Sequence, residues 1–228
     1  MRNQALKSLS ALAKFTGFYD DFKVLVKNYG LKWVGKSSDD LLIERLTRNN
    51  NGSDLVKWIN DVKTAIPELS VFMDFVVSTG LRFEEAIQAY NLIIDLSKQN
   101  KLSEYFDREN QILEHFRFRE LFIRKSKKAF ISFVSENLMQ QIVTHDKVSR
   151  ALINHRLSRR RIKARFSDLR EYYATVMTKH LKQPEIDFLQ GRTSTSVFMR
   201  NYFNPVWIQD LKNRALEGTS ESMNGMLS

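Results

Sequence analysis

Arginines, a lysine and a tyrosine are the chemistry-bearing side chains left in this sequence once other constellations are set aside. His115, His145, His155 and His180 lie far apart, without the HxxxH or HxxE spacing that puts two ligands on one helix face. The chain has no Cys, so neither a His-ligated nor a Cys-ligated metal site is indicated. No GxxxxGK(S/T) or GxGxxG loop offers backbone amides to a nucleotide phosphate. No GxSxG elbow supports a nucleophilic serine, although a Ser-His-Asp arrangement assembled from distant residues stays open. Guanidinium and ammonium groups donate to anions, and a tyrosine hydroxyl attacks only when its surroundings favour the phenolate.

Charge indicates what such residues would meet. The 228 residues hold 36 Lys and Arg against 26 Asp and Glu, a net of +10, which favours a polyanionic partner. The excess is one block: His115 to Arg170 carries 15 Lys and Arg and 4 Asp and Glu, a local net of +11 that leaves −1 for everything else. Within it, Arg156 to Arg165 (RLSRRRIKAR) has six cations in ten residues and no acid. Such crowding repels itself unless phosphates or other anions relieve it; a solvated basic face is the plain alternative. Lys125, Lys128, Arg159, Arg160, Arg161, Lys163 and Arg165 are the residues expected to meet a nucleic-acid backbone. Apolar stretches such as Ser70 to Val77 are broken by charge far short of the roughly 20 residues a membrane span needs. The first residues have no apolar block with a cleavage site, so a cytoplasmic location is expected.

The elements that must position these residues read as mostly helical. Leu6, Leu9, Leu12, Ala13 and Phe15, then Phe22, Leu25 and Val26, predict two short amphipathic helices around Gly17. Ser38 and Ser53 read as helix starts separated by the breaker Asn49 to Gly52. Pro67 opens a further helix that Gly80 ends, and another runs from about Phe83 to Lys98. Between His115 and Ser135, FRFRELFIR and KAFISFVS around RKSKK predict a β-hairpin. Helical signals resume from Glu136 to about Leu216, and Glu217 to Ser228 has little to bury and reads as a mobile tail.

Three stretches carry a resemblance. Ser78 to Ala86 (STGLRFEEA), Ser167 to Thr175 (SDLREYYAT) and Leu189 to Tyr202 (LQGRTSTSVFMRNY) are similar, in this order, to three boxes of the tyrosine recombinases, the phage-integrase family: TGLRxxE, HxLRHxxAT and LGHxxxxxTxxYxH. The third has the LQGR form of archaeal virus and plasmid integrases. The resemblance covers roughly Ile66 to Leu216. It implies that Arg82 and Arg170 clamp a scissile phosphate, that Tyr202 is the nucleophile, and that Lys127 is the hairpin lysine, with Lys128 in that role if the register shifts by one. Arg192 takes the position of the final His or Trp, and Glu85 that of the acid that buttresses the first arginine. The residue types alone leave plainer readings open: Tyr202 among Phe198, Phe203 and Trp207 as a core aromatic, Arg82 beside Glu84 and Glu85 as a helix-start ion pair, Lys127 as a solvated turn lysine. Tyr172, Tyr173 and Met177 read as the buried face of the helix that carries Arg170.

Under the resemblance the chemistry is coherent. Attack on a phosphodiester builds negative charge on the non-bridging oxygens, and two planar guanidinium forks stabilise it without a metal ion. Nearby cations lower the tyrosine pKa from its ordinary value near 10. A lysine beside the departing 5′-oxygen can supply its proton. The bond energy stays in a 3′-phosphotyrosyl link, so no ATP is needed. Two departures stand out. Ser167 occupies a position usually held by His or Lys, so that charge is either lost or supplied by Lys163 or Arg165. Glu171 and Arg192 replace two histidines, and an arginine donates to phosphate but does not act as a base.

The expected fold is mainly α with a small antiparallel β-hairpin or three-stranded sheet (α+β), the tyrosine recombinase catalytic-domain fold. It would span residues 36–216, with the boundary near Lys32 to Ser38. Residues 1–35 read as a remnant of a helical core-binding domain, in a chain that is either a fragment or a minimal form, and residues 217–228 as a flexible tail. The resemblance implies site-specific integration and excision of an archaeal mobile element on double-stranded DNA. It implies no cofactor, no membrane, and a homo-tetramer on DNA, the chain being a monomer in isolation. Two rivals are a type IB topoisomerase-like enzyme and a non-catalytic DNA-binding protein on the same scaffold.

Overall fold

The computed structural model describes residues 2–31, 37, 39–40, 43, 52–124, 127–192 and 208–227. The chain divides into two compact units, Met1–Asn50 and Asn51–Ser228. The division falls at the Asn49 to Gly52 breaker, later than the Lys32 to Ser38 boundary read from the sequence; Ser38 itself lies outside the described residues. In the first unit, α1 (Arg2–Thr16) and α2 (Tyr19–Asn28) flank Gly17, which adopts φ +83° as the turn requires.

The second unit is built around a helix apolar on every side. After α3 (Gly52–Ala65), Pro67 opens a single 3-10 turn, Pro67–Leu69, that runs into α4 (Ser70–Thr79). Every residue of α4 from Val71 to Thr79 is buried, as expected of a helix with no polar stripe. Its one acid, Asp74, is met by the equally buried Lys63 of α3, whose Nζ donates to both carboxylate oxygens at 2.8 and 2.9 Å. Gly80 ends α4 in the left-handed conformation, φ +58°. Helix α5 (Phe83–Lys98) buries Ala86, Ala89, Tyr90, Ile93 and Ile94, a face of 3.6-residue period.

The region expected to form one long hairpin divides differently. Strands β1 (Phe106–Asp107) and β2 (Ile112–Leu113) come first; then residues His115–Arg117 wind into a 3-10 turn and Arg119–Phe122 into one turn of helix, α6. Only β3 (Ile123–Arg124) and β4 (Lys127–Lys128) pair as the hairpin, with Ile123 opposite Lys128 and Arg124 opposite Lys127. Strand β5 (Ser132–Phe133) instead joins β2, giving an antiparallel sheet of order β1-β2-β5. His115, at the start of that 3-10 turn, is fully buried, its ring bonded to the Tyr105 hydroxyl through Nδ1 (2.7 Å) and to Ser132 Oγ through Nε2 (2.9 Å). Of the FRFRELF stretch that follows, only Phe122 is fully buried, while Phe116 and the charged residues stay exposed.

Helices α7 (Glu136–Val143) and α8 (Arg150–Arg159) start at Ser135 and Ser149, whose hydroxyls accept from the amides of Leu138 (3.3 Å) and Leu152 (3.1 Å). They are followed by α9 (Phe166–Met177), α10 (Gln183–Leu189) and α11 (Ile208–Met223). The fold is thus mostly helical with small antiparallel sheets, α+β. The last residues do not bury little, as their composition suggested. Helix α11 runs on to Met223, Thr219 and Ser222 are buried, and Met223 and Met226 pack on the core. Asn60 of α3 binds the backbone of Gly225 and Leu227 at 2.8 and 2.9 Å. Among the described residues no helix is long and apolar enough to cross a membrane.

Candidate active site

Each box of the sequence places one arginine, the first and third at a helix end and the second within a helix. In the first, α4 stops at Gly80, Leu81 is buried as an anchor, and Arg82 takes the extended conformation (φ −66°, ψ 148°) that begins α5. Glu85, three residues on and fully buried, accepts from the Arg82 backbone N–H at 3.3 Å and from its Nη1 at 3.0 Å. The carboxylate therefore fixes both the helix start and the guanidinium. A side chain at Gly80 would run into the Tyr173 ring, and its positive φ also favours glycine.

In the second, Leu169, Tyr173 and Met177 turn one face of α9 into the core, while Ser167, Arg170 and Glu171 take the neighbouring face. Tyr173 and Met177 are core residues as read from the sequence, and Tyr172 is partly buried. Arg170 is held from two sides. Its Nη1 donates to the Gly80 carbonyl at 2.8 Å, and its Nη2 to the carbonyl of Gln190. Gln190 answers through Nε2, which donates to the Arg170 carbonyl at 2.8 Å.

In the third, α10 ends in a Schellman motif: the Gly191 amide bonds the Phe188 carbonyl (2.9 Å) and the Arg192 amide that of Asp187 (2.8 Å), with Gly191 at φ +58°. A methyl group at Gly191 would overlap the Lys128 carbonyl oxygen. The hairpin and the third box thus touch backbone to backbone, and only glycine permits it.

These elements bring Arg82, Arg170, Arg192 and Ser167 to one cleft of about 500 Å³. Burial, then the charges of Arg82 and Arg192, lower the Arg170 pKa to about 10. It stays charged at neutral pH, and the three cations repel one another until an anion enters. Glu85 stands behind Arg82, and Arg124 of β3 approaches the same carboxylate at 4.0 Å. Lys127 pairs with Arg124 through the backbone, so the hairpin lysine belongs to the strand beside this cluster; its side chain lies outside the described parts of the chain. Lys125 and Tyr202 lie outside the described residues.

The basic block is not one surface. Arg159 and Arg160 line a groove of about 760 Å³ beside Ala65 and Glu68, while Arg161 and Lys163 border a separate, shallower one. Arg165 is engaged within the fold, its Nη1 2.7 Å from Asp54 and its Nε 2.9 Å from Asp168. Neither it nor Lys163 is among the residues that line the cleft, and Ser167 Oγ donates to Asp168 at 3.1 Å. The residue types gave no sign of three further participants: Gln190, which locks Arg170, and Arg150 and Asn154 of α8, which line the cleft. For Arg150 the available signal was a cation opening a helix with no acid in its first turn. Among the described residues no group of three or more His, Asp or Glu is placed to hold a metal ion.

Residues 49–215, which begin at the junction of the two units, match the family described as archaeal phage integrase. No curated protein and no solved structure matches the chain.

Proposed function

The chain belongs to the archaeal phage integrase family, and on that premise we propose that it cuts and rejoins double-stranded DNA through a covalent link to Tyr202. Membership in the family carries a general role in site-specific recombination on DNA. The finer reading is supported above all by one observation: arginines from three stretches far apart in sequence line a single cleft. Arg82 and Arg170 hold the non-bridging oxygens of the scissile phosphate, and Arg192 adds a third donor. The Tyr202 hydroxyl gives its proton to solvent as the surrounding cations favour the phenolate, its oxygen forms the new bond to phosphorus, the bond to the 5′-oxygen breaks, and Lys127, or Lys128 beside it, gives that oxygen a proton. Attack by a 5′-hydroxyl on the 3′-phosphotyrosyl link reverses the step. Rejoining to a second site gives integration or excision of a mobile element, with four protomers on two sites.

The tyrosines of the second unit support the choice of nucleophile. Burial raises the pKa of Tyr90, Tyr105, Tyr172 and Tyr173 above the ordinary phenol value, which suits a core residue and opposes phenolate formation. Tyr202 is the remaining tyrosine of that unit. It lies ten residues after Arg192 and six before Ile208, where α11 begins. That helix packs on α4 and α9, the elements that hold Gly80 and Arg170.

A nicked suicide duplex tests this reading, because loss of the short 5′ fragment prevents resealing. A protein–DNA adduct should form in the presence of EDTA and be absent with Tyr202→Phe. Relaxation of supercoiled DNA without joining of two sites would indicate a topoisomerase; binding without any adduct would indicate a scaffold protein.

A further inference from the structure

Arg150 shares the cleft with the three box arginines, yet belongs to none of the boxes. It is the first residue of α8, where a cation faces the positive end of the helix dipole, and the first turn holds no acid to offset it. What holds it lies outside the helix. Its guanidinium carbon sits 5.2 Å from the centre of the Phe83 ring. Phe83 in turn stacks on Phe166 at 4.0 Å and 14°, and Phe166 precedes Ser167. The Arg150 Nε bonds Glu84, but the pair is open to water, with side chains 56% and 45% exposed. Exposed pairs hold their members weakly, whereas a phosphate presents two oxygens that match the guanidinium fork. The aromatic stack thus keeps Arg150 at the cleft while Glu84 occupies it reversibly.

We propose that Arg150 contacts the substrate, leaving Glu84 to bind a DNA backbone phosphate next to the one held by Arg82 and Arg170. It supplies the positive charge that Ser167 lacks on that side of the cleft. The inference rests on the reading of the cleft as a DNA-cleavage site.

The test is a scan of suicide duplexes with one methylphosphonate at each position around the nick, read with wild type, Arg150→Ala and Glu84→Gln, each checked for an unchanged melting midpoint. Neutralising one phosphate beside the scissile one should slow adduct formation by wild type about tenfold, as removal of one charge-assisted pair predicts. Arg150→Ala should show the same decrease on the all-phosphate duplex, and that methylphosphonate should then have no further effect. Its salt slope for binding should fall by about 0.9. Glu84→Gln should cleave as fast as wild type or faster. Arg150→Gln replaces the alanine variant if the latter does not fold. An Arg150 variant as sensitive as wild type to every methylphosphonate overturns the inference. If wild type forms no adduct on any duplex, the cleavage reading fails instead; the same scan read by equilibrium binding still decides whether Arg150 meets a phosphate.

Discussion

Arg82 donates to Glu85 through Nη1 and is only 26% exposed, while Glu85 is fully buried. Its alanine variant would strand that carboxylate in the core, at a cost of about 3–5 kcal/mol, and confuse lost chemistry with lost fold. Arg82→Lys keeps the charge and loses the planar fork. It should lower the adduct-forming rate by about 10²–10³ and leave salt-sensitive DNA binding nearly intact, measured by single-turnover cleavage and equilibrium binding. His115 supports a different expectation. Burial lowers its pKa from 6.5 to about 3, so between these values the unfolded chain takes up a proton that the folded chain refuses. Stability is therefore complete above pH 6.5 and falls as pH drops toward 3. Urea midpoints should decline already between pH 6.5 and 4.5, above the range where carboxylates titrate. His115→Phe should be less stable at pH 7, leaving Tyr105 and Ser132 unpaired, and should lose the decline in that interval.

Two glycines set the spacing between elements. Gly80→Ala meets the Tyr173 ring and Gly191→Ala meets the hairpin carbonyl of Lys128, both at positive φ. Each should lose more than about 1 kcal/mol in urea titration. Gly191→Ala should also slow cleavage in whatever fraction stays folded, because it separates the hairpin from Arg192. Part of the first box was legible: Gly80 as the end of one helix and Arg82 beside Glu84 and Glu85 at the start of the next follow local rules written in adjacent letters, whereas the buried Leu81 that ties the two helices to the core carried no such sign. The hairpin was legible in place but not in length: β3 and β4 pair around RKSKK, whereas the alternating Phe and Arg before them, which have the period of a strand, wind into a 3-10 turn and one turn of helix. The C-terminal residues misled as well. Thr219 and Ser222 look like solvent residues, but their hydroxyls bond to carbonyls of their own helix at 2.9 and 2.7 Å, which lets that helix be buried.

Across the molecule, a net charge of +10 overstates what is free to meet DNA. Arg165 is held between two acids, Asp54 and Asp168, with its side chain only 20% exposed. Alanine at Arg159, Arg160 or Arg161 should reduce the slope of log K against log salt by about 0.9 for each DNA phosphate that is no longer neutralised, with unchanged melting. Arg165→Ala should lower the melting midpoint and leave the slope as it was. In the proposed reaction, arginines gathered from distant stretches serve one tyrosine. Mass mapping of the peptide that carries the trapped nucleotide tests it most directly. A single modified peptide is expected, with the nucleotide on Tyr202. A nucleotide on Tyr172, Tyr173 or any other residue would contradict it.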